Sequence, residues 1–208
     1  MKAFLKKNIQ TIINVYLFLH IGIWIGWQVY TSWKKGDLGY VEAAFAVQST
    51  VMITMILFRR HHTAIEKKVF SQIVALTAFF SGLFFVGQPS TGNHIVLTAA
   101  TIVTVTANIL AIGCLFNLGR SFGILIALRK VKTKGLYGIV RHPMYGTDIL
   151  LRIGFVVSHF NWFTVAVFAG STGCYLYRAV LEEKFLSKKP EYREYMQHVK
   201  YRFIPGVF

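Results

Sequence analysis

The sequence predicts an all-α, polytopic integral membrane protein. Hydrophobic residues make up 54% of its 208 residues and charged residues only 15%, and the mean hydropathy is +0.50. Soluble globular chains average about 25% charged residues. We expect one membrane domain over residues 1–208, with spanning helices in 1–118 and most of the polar motifs in 119–208.

Four apolar runs predict about four spanning helices in the first part of the chain. They cover residues 9–27, 41–58, 69–87 and 94–118, each near the roughly 20 residues that cross a bilayer core. No small-x-small cleavage site follows the first run, so we interpret it as a retained helix and not as a signal peptide.

A helical hairpin is predicted near the C-terminus, after a polar and basic interval over residues 119–143. The apolar stretches 145–158 and 162–177 are separated only by residues 159–161. The first stretch is too short for a straight span. The pair is therefore expected to form a tight hairpin that is tilted or partly re-entrant.

The basic residues indicate an orientation in the membrane. The net charge of +15 would suggest nucleic-acid binding in a soluble protein, but here the Lys and Arg residues form short runs between apolar stretches. The N-terminus, residues 59–68, residues 120–141 and the tail are basic, whereas residues 88–94 contain no Lys or Arg. The positive-inside rule places both termini and the polar motifs in the cytoplasm. We expect no nucleic-acid partner, and the compact chain fits a prokaryotic plasma membrane.

Neither the cysteines nor the histidines predict a metal site. Cys114 and Cys174 lie far apart within apolar stretches, which indicates small core residues and no disulfide framework. The remaining candidates lack the spacing of metal ligands; they are His20, His94 and His159, together with the adjacent His61 and His62.

The first polar motif lies around Pro143. Proline suits the first helical position and disfavours the α region for the residue before it, so Arg141 and His142 are expected to flank a helix N-terminus. Such a terminus favours an anion, for example a ligand carboxylate. Gly135 and Gly138 allow the backbone to turn and to approach a ligand closely. An alternative is a cytoplasmic turn whose basic residues bind lipid phosphate.

The second polar cluster lies at the cytoplasmic end of the last apolar stretch. Arg178 and Glu182 are four residues apart on one helical face, with Glu183 adjacent; a structural ion pair would also explain them. Asp148 and Arg152 form another such pair inside the hairpin, where ionisable groups are costly. Mutual neutralisation and ligand binding explain that pair equally well.

Several separated elements, in this order, resemble the isoprenylcysteine carboxyl methyltransferase family, within a wider group that includes phospholipid N-methyltransferases. The resemblance covers residues 118–206, and Leu136 departs from it because many relatives have Pro there. The elements that carry it are Leu118-Gly119-Arg120-Ser121-Phe122, Lys134-Gly135-Leu136-Tyr137, Arg141-His142-Pro143-Met144-Tyr145-Gly146, Arg178 with Glu182-Glu183, Tyr192, Tyr195, Tyr201-Arg202 and Ile204-Pro205-Gly206.

The resemblance implies a membrane enzyme with a cytoplasmic S-adenosylmethionine pocket in residues 119–208 and a lipophilic acceptor that enters from the bilayer. It implies that Glu182 and Glu183 contact the ribose or amino groups of the cofactor, and that Arg178 and Arg202 orient an anionic acceptor. Arg178, Arg202 and Glu182 are thus the predicted catalytic residues. The other predicted cofactor-binding residues are Gly135, Tyr137, Arg141, His142, Pro143 and Tyr145.

The acceptor is left open between a prenylated cysteine, a lipid, and a lipophilic acid or thiol. A carboxylate is already ionised at neutral pH and needs no general base, so the protein has to align the reactants and exclude water. An ethanolamine headgroup would have to lose a proton to Glu182, Glu183 or His142.

Two other functions compete with methyl transfer. An NADPH-dependent sterol-type reductase has a related His-Pro-x-Tyr arrangement, but such enzymes tend to have Asn where this chain has Met144, and they have more spans. Met144 and the Glu182-Glu183 pair favour methyl transfer. A scaffold protein that has lost the chemistry would bind no cofactor. The oligomeric state is not predicted.

Overall fold

The computed structural model describes residues 2–36, 39–60, 62–85 and 87–207. His61, which was predicted not to be a metal ligand, lies outside these residues. The described chain is mostly helical, as predicted. Seven α-helices follow one another in the order α1 Lys2–Lys35, α2 Tyr40–Phe58, α3 Val69–Phe80, α4 His94–Leu118, α5 Pro143–Ser158, α6 Trp162–Leu186 and α7 Pro190–His198.

One helix in the described part of the chain is both long and apolar enough to cross a membrane, and it covers His94–Ser121. Two shorter apolar helical stretches, Ala46–Phe58 and Val69–Phe85, coincide with predicted spans. The number of four spanning helices therefore remains a prediction.

The predicted third run is divided in the structure. Helix α3 ends at Phe80 and continues as a 3₁₀ turn over Ser81–Phe85. Arg152 of α5 donates from Nη1 to the Ser81 hydroxyl at 2.7 Å and from Nη2 to the Ala78 carbonyl oxygen at 3.2 Å. These bonds satisfy polar groups where the helical ladder is interrupted.

The C-terminal hairpin is formed by α5 and α6, as expected. Asn161 caps α6 by accepting from the Thr164 backbone N–H at 2.9 Å, and the Thr164 hydroxyl accepts from the Asn161 N–H at 3.1 Å. This reciprocal cap starts a new helix three residues after α5 ends. Helix α6 runs to Leu186, nine residues past the end of the predicted apolar stretch.

Helix α5 packs closely on α4 through small side chains. The buried face of α4 includes Ala100, Thr104, Ala107 and Ala111, and Gly154 of α5 lies against Thr104. Small residues let two backbones approach closely, as in other membrane helix pairs. Cys114 on this face is fully buried, whereas Cys174 in α6 is half-buried, and both are free thiols.

A short antiparallel ribbon joins two loops that are distant in sequence, and the sequence did not predict it. Strand β1, Ala64–Ile65, pairs with β2, Ala127–Leu128, so that Ala64 faces Leu128 and Ile65 faces Ala127. The ribbon fixes the loop after α2 against the loop after α4, beside the cavity described below.

Candidate active site

A cavity lies where the loop after α4, the start of α5 and the end of α6 meet. Its volume is about 130 Å³. Six of the predicted site residues line it: Tyr137, Arg141, His142, Tyr145, Arg178 and Glu182. The other four, Gly135, Pro143, Glu183 and Arg202, do not lie among its lining residues.

Pro143 begins α5, as predicted, and His142 before it has a non-helical backbone. The anion beside this helix start is a side chain of the protein. Glu183 Oε1 accepts from Arg141 Nε at 2.6 Å and lies 3.1 Å from His142 Nε2. Glu183 thus provides a carboxylate beside the start of α5, and a ligand anion at this helix start stays a prediction.

Glu183 connects three parts of the site. Besides Arg141 and His142, it accepts through Oε2 from Arg202 Nε at 2.9 Å, and it is 4% exposed. Burial by itself raises the pKa of the Glu183 carboxyl, but hydrogen bonds from His142 and Arg141 and the bond from Arg202 outweigh it and lower the pKa to about 2. Glu183 is ionised at neutral pH and holds these cations in place.

Hydrogen bonds hold the C-terminal segment against the start of α5. Backbone N–H groups of Arg141 and His142 donate to the carbonyl oxygens of Tyr201 and Arg202 at 2.9 and 2.8 Å. The Arg141 side chain donates to the carbonyl oxygens of Val199 and Lys200 at 2.8 and 2.5 Å. Together with the Arg202–Glu183 pair, these bonds place the tail next to the cavity wall.

Aromatic rings and the other glutamate form the inner wall. The Tyr145 hydroxyl donates to Glu182 Oε2, and the Tyr145 ring stacks on His142 with centroids 5.2 Å apart. Tyr175, which the sequence analysis missed, lies 5.3 Å from the Tyr145 ring. It precedes Arg178 by three residues on one face of α6, and that spacing was the available signal.

Arg178 and Glu182 do not form the structural ion pair that was the alternative explanation for their spacing. The Arg178 guanidinium is buried and donates from Nη1 to the Ala75 carbonyl oxygen at 3.0 Å and from Nη2 to that of Ile124 at 2.5 Å. It also lies 5.0 Å above the Tyr145 ring. Carbonyl oxygens of α3 and of the loop after α4 thus accept the hydrogen bonds of Arg178.

Asp148 and Arg152 also differ from the prediction, since they do not pair directly. The Tyr175 hydroxyl donates to Asp148 Oδ2 at 2.9 Å and accepts from Arg152 Nη2 at 3.4 Å. Gln48 of α2 donates to Asp148 Oδ1 at 2.8 Å. Tyr175 connects the two charged groups, and Asp148 lines the cavity.

Gly135 serves the turn before α5. Its φ of +63° is a conformation that side chains rarely adopt, and a Cβ here would collide with the Asn117 side chain. The close approach that was predicted for a ligand is therefore made to Asn117 of α4.

A second cavity adjoins the first. Asp148, Tyr175, Met52 and Phe79 line both of them. The other apolar walls of the second cavity come from α1, α3 and the 3₁₀ turn after α3, and they include Ile21, Trp24, Ile25, Phe80 and Leu83. Gln48, Ser49 and Arg152 also line it. The second cavity is thus mostly apolar, and more polar groups line the first.

Residues 93–193 match the family model of the phospholipid methyltransferases, PEMT. This segment is just under half of the chain. The wider group that the sequence resembled is therefore confirmed, and the match indicates a membrane methyltransferase. The phospholipid methyltransferase segment runs from the cap of α4 into α7 and contains nine of the ten predicted site residues; Arg202 lies beyond it.

The fold has a counterpart among solved structures. The chain resembles the eukaryotic intramembrane Ras methyltransferase ICMT, an isoprenylcysteine carboxyl methyltransferase, with a TM-score of 0.57 and 16% identity over 98% of this chain and 86% of that one. At this identity the likeness establishes the fold. The comparison with curated proteins found no match.

Proposed function

We propose that the protein is an S-adenosylmethionine-dependent membrane methyltransferase that acts on a hydrophobic acceptor, with carboxyl O-methylation of an isoprenylcysteine-like or other lipophilic acid as its reaction. One observation carries the proposal: a cavity lined by a carboxylate, several cations and aromatic rings adjoins a second cavity that is mostly apolar, and most polar residues of the first cavity lie in the segment that matches the phospholipid methyltransferase model.

The residues present fit the cofactor. The Tyr145 hydroxyl donates a hydrogen bond to Glu182 Oε2. The other oxygen, Oε1, accepts no hydrogen bond from the described residues and is available to a ribose hydroxyl or an amino group of the cofactor. The rings of Tyr137, Tyr145 and Tyr175 line the same space and suit an adenine ring. Arg178 Nε is buried without a partner in the described part of the chain.

When bound, the cofactor supplies a methyl group on a cationic sulfur, so that an acceptor oxygen bonds to that carbon while the carbon–sulfur bond breaks and its electron pair stays on sulfur. The protein is left with positioning and with the exclusion of water. Glu182 would hold the cofactor, Tyr145 would orient Glu182, and Glu183 would position Arg141 and His142. The bilayer would deliver the acceptor, and the termini would lie in the cytoplasm.

Calorimetry on detergent-purified protein tests the cofactor directly. We expect micromolar binding of S-adenosylmethionine and S-adenosylhomocysteine, weakened about tenfold or more by Glu182→Gln because a charge-assisted hydrogen bond is lost. His142→Ala should also weaken it, since the ring supports both Tyr145 and Glu183. The matched control is Glu191→Gln, at an exposed glutamate of α7.

Two results would overturn the proposal. Absence of adenosyl-ligand binding would contradict methyl transfer, and binding of NADPH in its place would favour a reductase. A methylation assay then compares a farnesylated cysteine with phosphatidylethanolamine vesicles; transfer to the vesicles alone would replace O-methylation by N-methylation.

A further inference from the structure

Arg59 is a buried cation, and Arg129 is a half-buried one. Arg59 is 9% exposed, and the Nε atoms of both residues are buried with no hydrogen-bond partner. Within the described residues, neither guanidinium forms an ion pair or a side-chain hydrogen bond. A buried charge is normally paired or hydrogen-bonded, as Arg152 and Arg178 are in this fold.

Backbone pairing brings the two arginines to the same place. Arg59 directly follows α2, and the next residue, Arg60, donates from its backbone N–H to the Arg120 carbonyl oxygen at 2.7 Å. Thr63 N–H donates to the Leu128 carbonyl oxygen at 2.9 Å, one residue before Arg129. Burial and, to a smaller extent, the nearby charge of Arg129 lower the pKa of Arg59 to about 10. Both groups stay charged at neutral pH.

Gly123 leaves space for the Arg129 guanidinium, which lines the larger cavity. A Cβ at Gly123 would overlap with Nη1, Cζ and Nη2 of Arg129. The backbone φ of Gly123 is not in the left-handed region, so the absent side chain is what matters here. The guanidinium lies against Gly123 at the cavity wall. Burial lowers the pKa of Arg129, and the Glu182 carboxylate in the same cavity partly offsets this without forming an ion pair.

We propose that Arg59 and Arg129 bind the anionic group of the hydrophobic acceptor, a carboxylate. This inference rests on the proposed function and names the substrate class of the same site. Two guanidinium groups offer planar donor pairs that match the two oxygens of a carboxylate. Arg178 and Arg202 were predicted for this task, but backbone carbonyls and Glu183 occupy much of their donor capacity.

The position of Arg59 favours the acceptor over the cofactor. Met52 precedes Arg59 by two helical turns, so both lie on one face of α2, and Met52 lines both cavities. Gln48, farther along α2, lines the apolar cavity, and 11 residues of helix span about 16 Å. A molecule with its carboxylate at Arg59 and its apolar chain along α2 would reach that cavity. Methylation would then remove the charge that the arginines bind, which favours release of the ester.

A matched pair of ligands tests the proposal: N-acetyl-S-farnesylcysteine and its methyl ester, titrated into detergent-purified protein. We expect the wild type to prefer the acid. Arg59→Gln and Arg129→Gln should each weaken acid binding about tenfold or more and leave ester binding unchanged. Arg60→Gln, which removes the same charge from an exposed neighbour, should leave the preference intact. Equal affinities for acid and ester in the wild type would overturn the proposal.

Folding does not obscure the result for Arg59→Gln, because replacing an unpaired buried charge by a neutral group should raise the melting temperature of the ligand-free protein. Gly123→Ala keeps both charges but displaces the Arg129 guanidinium, and it should also reduce the preference for the acid. An unchanged preference in all three variants would contradict the inference.

Two further titrations test whether the arginines bind another anion in place of the acceptor carboxylate. S-adenosylhomocysteine titrations should give the same affinity in the arginine variants as in the wild type; a loss confined to this ligand would assign the site to the cofactor's carboxylate and overturn the proposal. If the variants lose only their binding to phosphatidylglycerol vesicles, the two arginines bind a lipid phosphate, and the proposal is likewise overturned. If the wild type binds no adenosyl ligand, the proposed function fails, while the acid and ester titrations still report on the arginines.

Discussion

At the scale of single residues, Glu183 joins three other side chains of the candidate site. One carboxylate accepts from Arg141 near α5, from Arg202 of the tail and from the His142 ring. The site therefore depends on a charge that does not line the cavity. We expect Glu183 to act as a positioning residue that holds His142 against Tyr145.

The first prediction concerns Glu183→Gln. Breaking a buried ionic network leaves unpaired charges, so the variant should lose about 3–5 kcal/mol of stability at neutral pH. Thermal unfolding in detergent measures this loss. Glu191→Gln is the control, since that glutamate is exposed, and a Glu183→Gln melting temperature equal to that of the control would contradict the prediction.

The pH dependence of unfolding provides a second, separate prediction. Because the folded-state pKa of Glu183 is lowered from 4.5 to about 2, its ionised form stabilises the fold. This contribution is complete above about pH 4.5 and is lost as the pH falls towards 2. The difference in melting temperature between wild type and Glu183→Gln should shrink over this range. A constant difference would show that Glu183 does not titrate in this way.

Sequence spacing identified the right residues but not all of their partners. It selected Arg178, Glu182 and Glu183, and the structure brings Arg178 and Glu182 to one cavity. It could not show that carbonyls of Ala75 and Ile124 bind Arg178, because those acceptors are more than fifty residues away and exist on every residue. Charge pairs at i,i+4 are visible in a sequence, whereas bonds to a distant backbone are not.

At the scale of elements, the close contact of α4 with α5 sets the position of the helix start at Pro143. Gly154 is the residue that permits this contact, since a Cβ there would collide with Thr104 Oγ1 and would lie 3.2 Å from the Ala100 carbonyl oxygen. The apolar pattern predicted both helices. It did not predict their contact face, which depends on small residues and carries little hydropathy signal.

The third prediction compares two glycines of the hairpin. Gly154→Ala should lower stability by about 1–3 kcal/mol, because added volume forces α5 away from α4. Gly170→Ala is the matched control in α6, where a Cβ would meet nothing within 4 Å; it should be neutral or raise stability by up to about 1 kcal/mol. Thermal unfolding of the two variants side by side measures the contrast. Similar effects of both substitutions would mean that α4 and α5 are not packed as described.

At the scale of the whole molecule, the positive-inside pattern predicts which side of the membrane the polar cavity faces. The sequence predicted both helices of the hairpin and six of the residues that line the cavity. It did not predict the pairing of β1 with β2, because two-residue strands have no recognisable period. That pairing brings Arg59, from the N-terminal part, to the loop that carries Arg129.

The last prediction tests orientation. If α4 spans the membrane with its C-terminal end in the cytoplasm, the loop before α4 lies outside the cell, and the turn between α6 and α7 lies inside. Gly92→Cys and Lys188→Cys place thiols at these two points, and Gly92 has open space around it. In intact bacterial cells, a membrane-impermeant maleimide should label Gly92→Cys and leave Lys188→Cys unlabelled until the cells are opened; the parent chain provides the background of Cys114 and Cys174. The opposite pattern would place the polar cavity, with Glu182 and Arg129, on the outer side, where intracellular S-adenosylmethionine could not reach it, and it would therefore also contradict the proposed function.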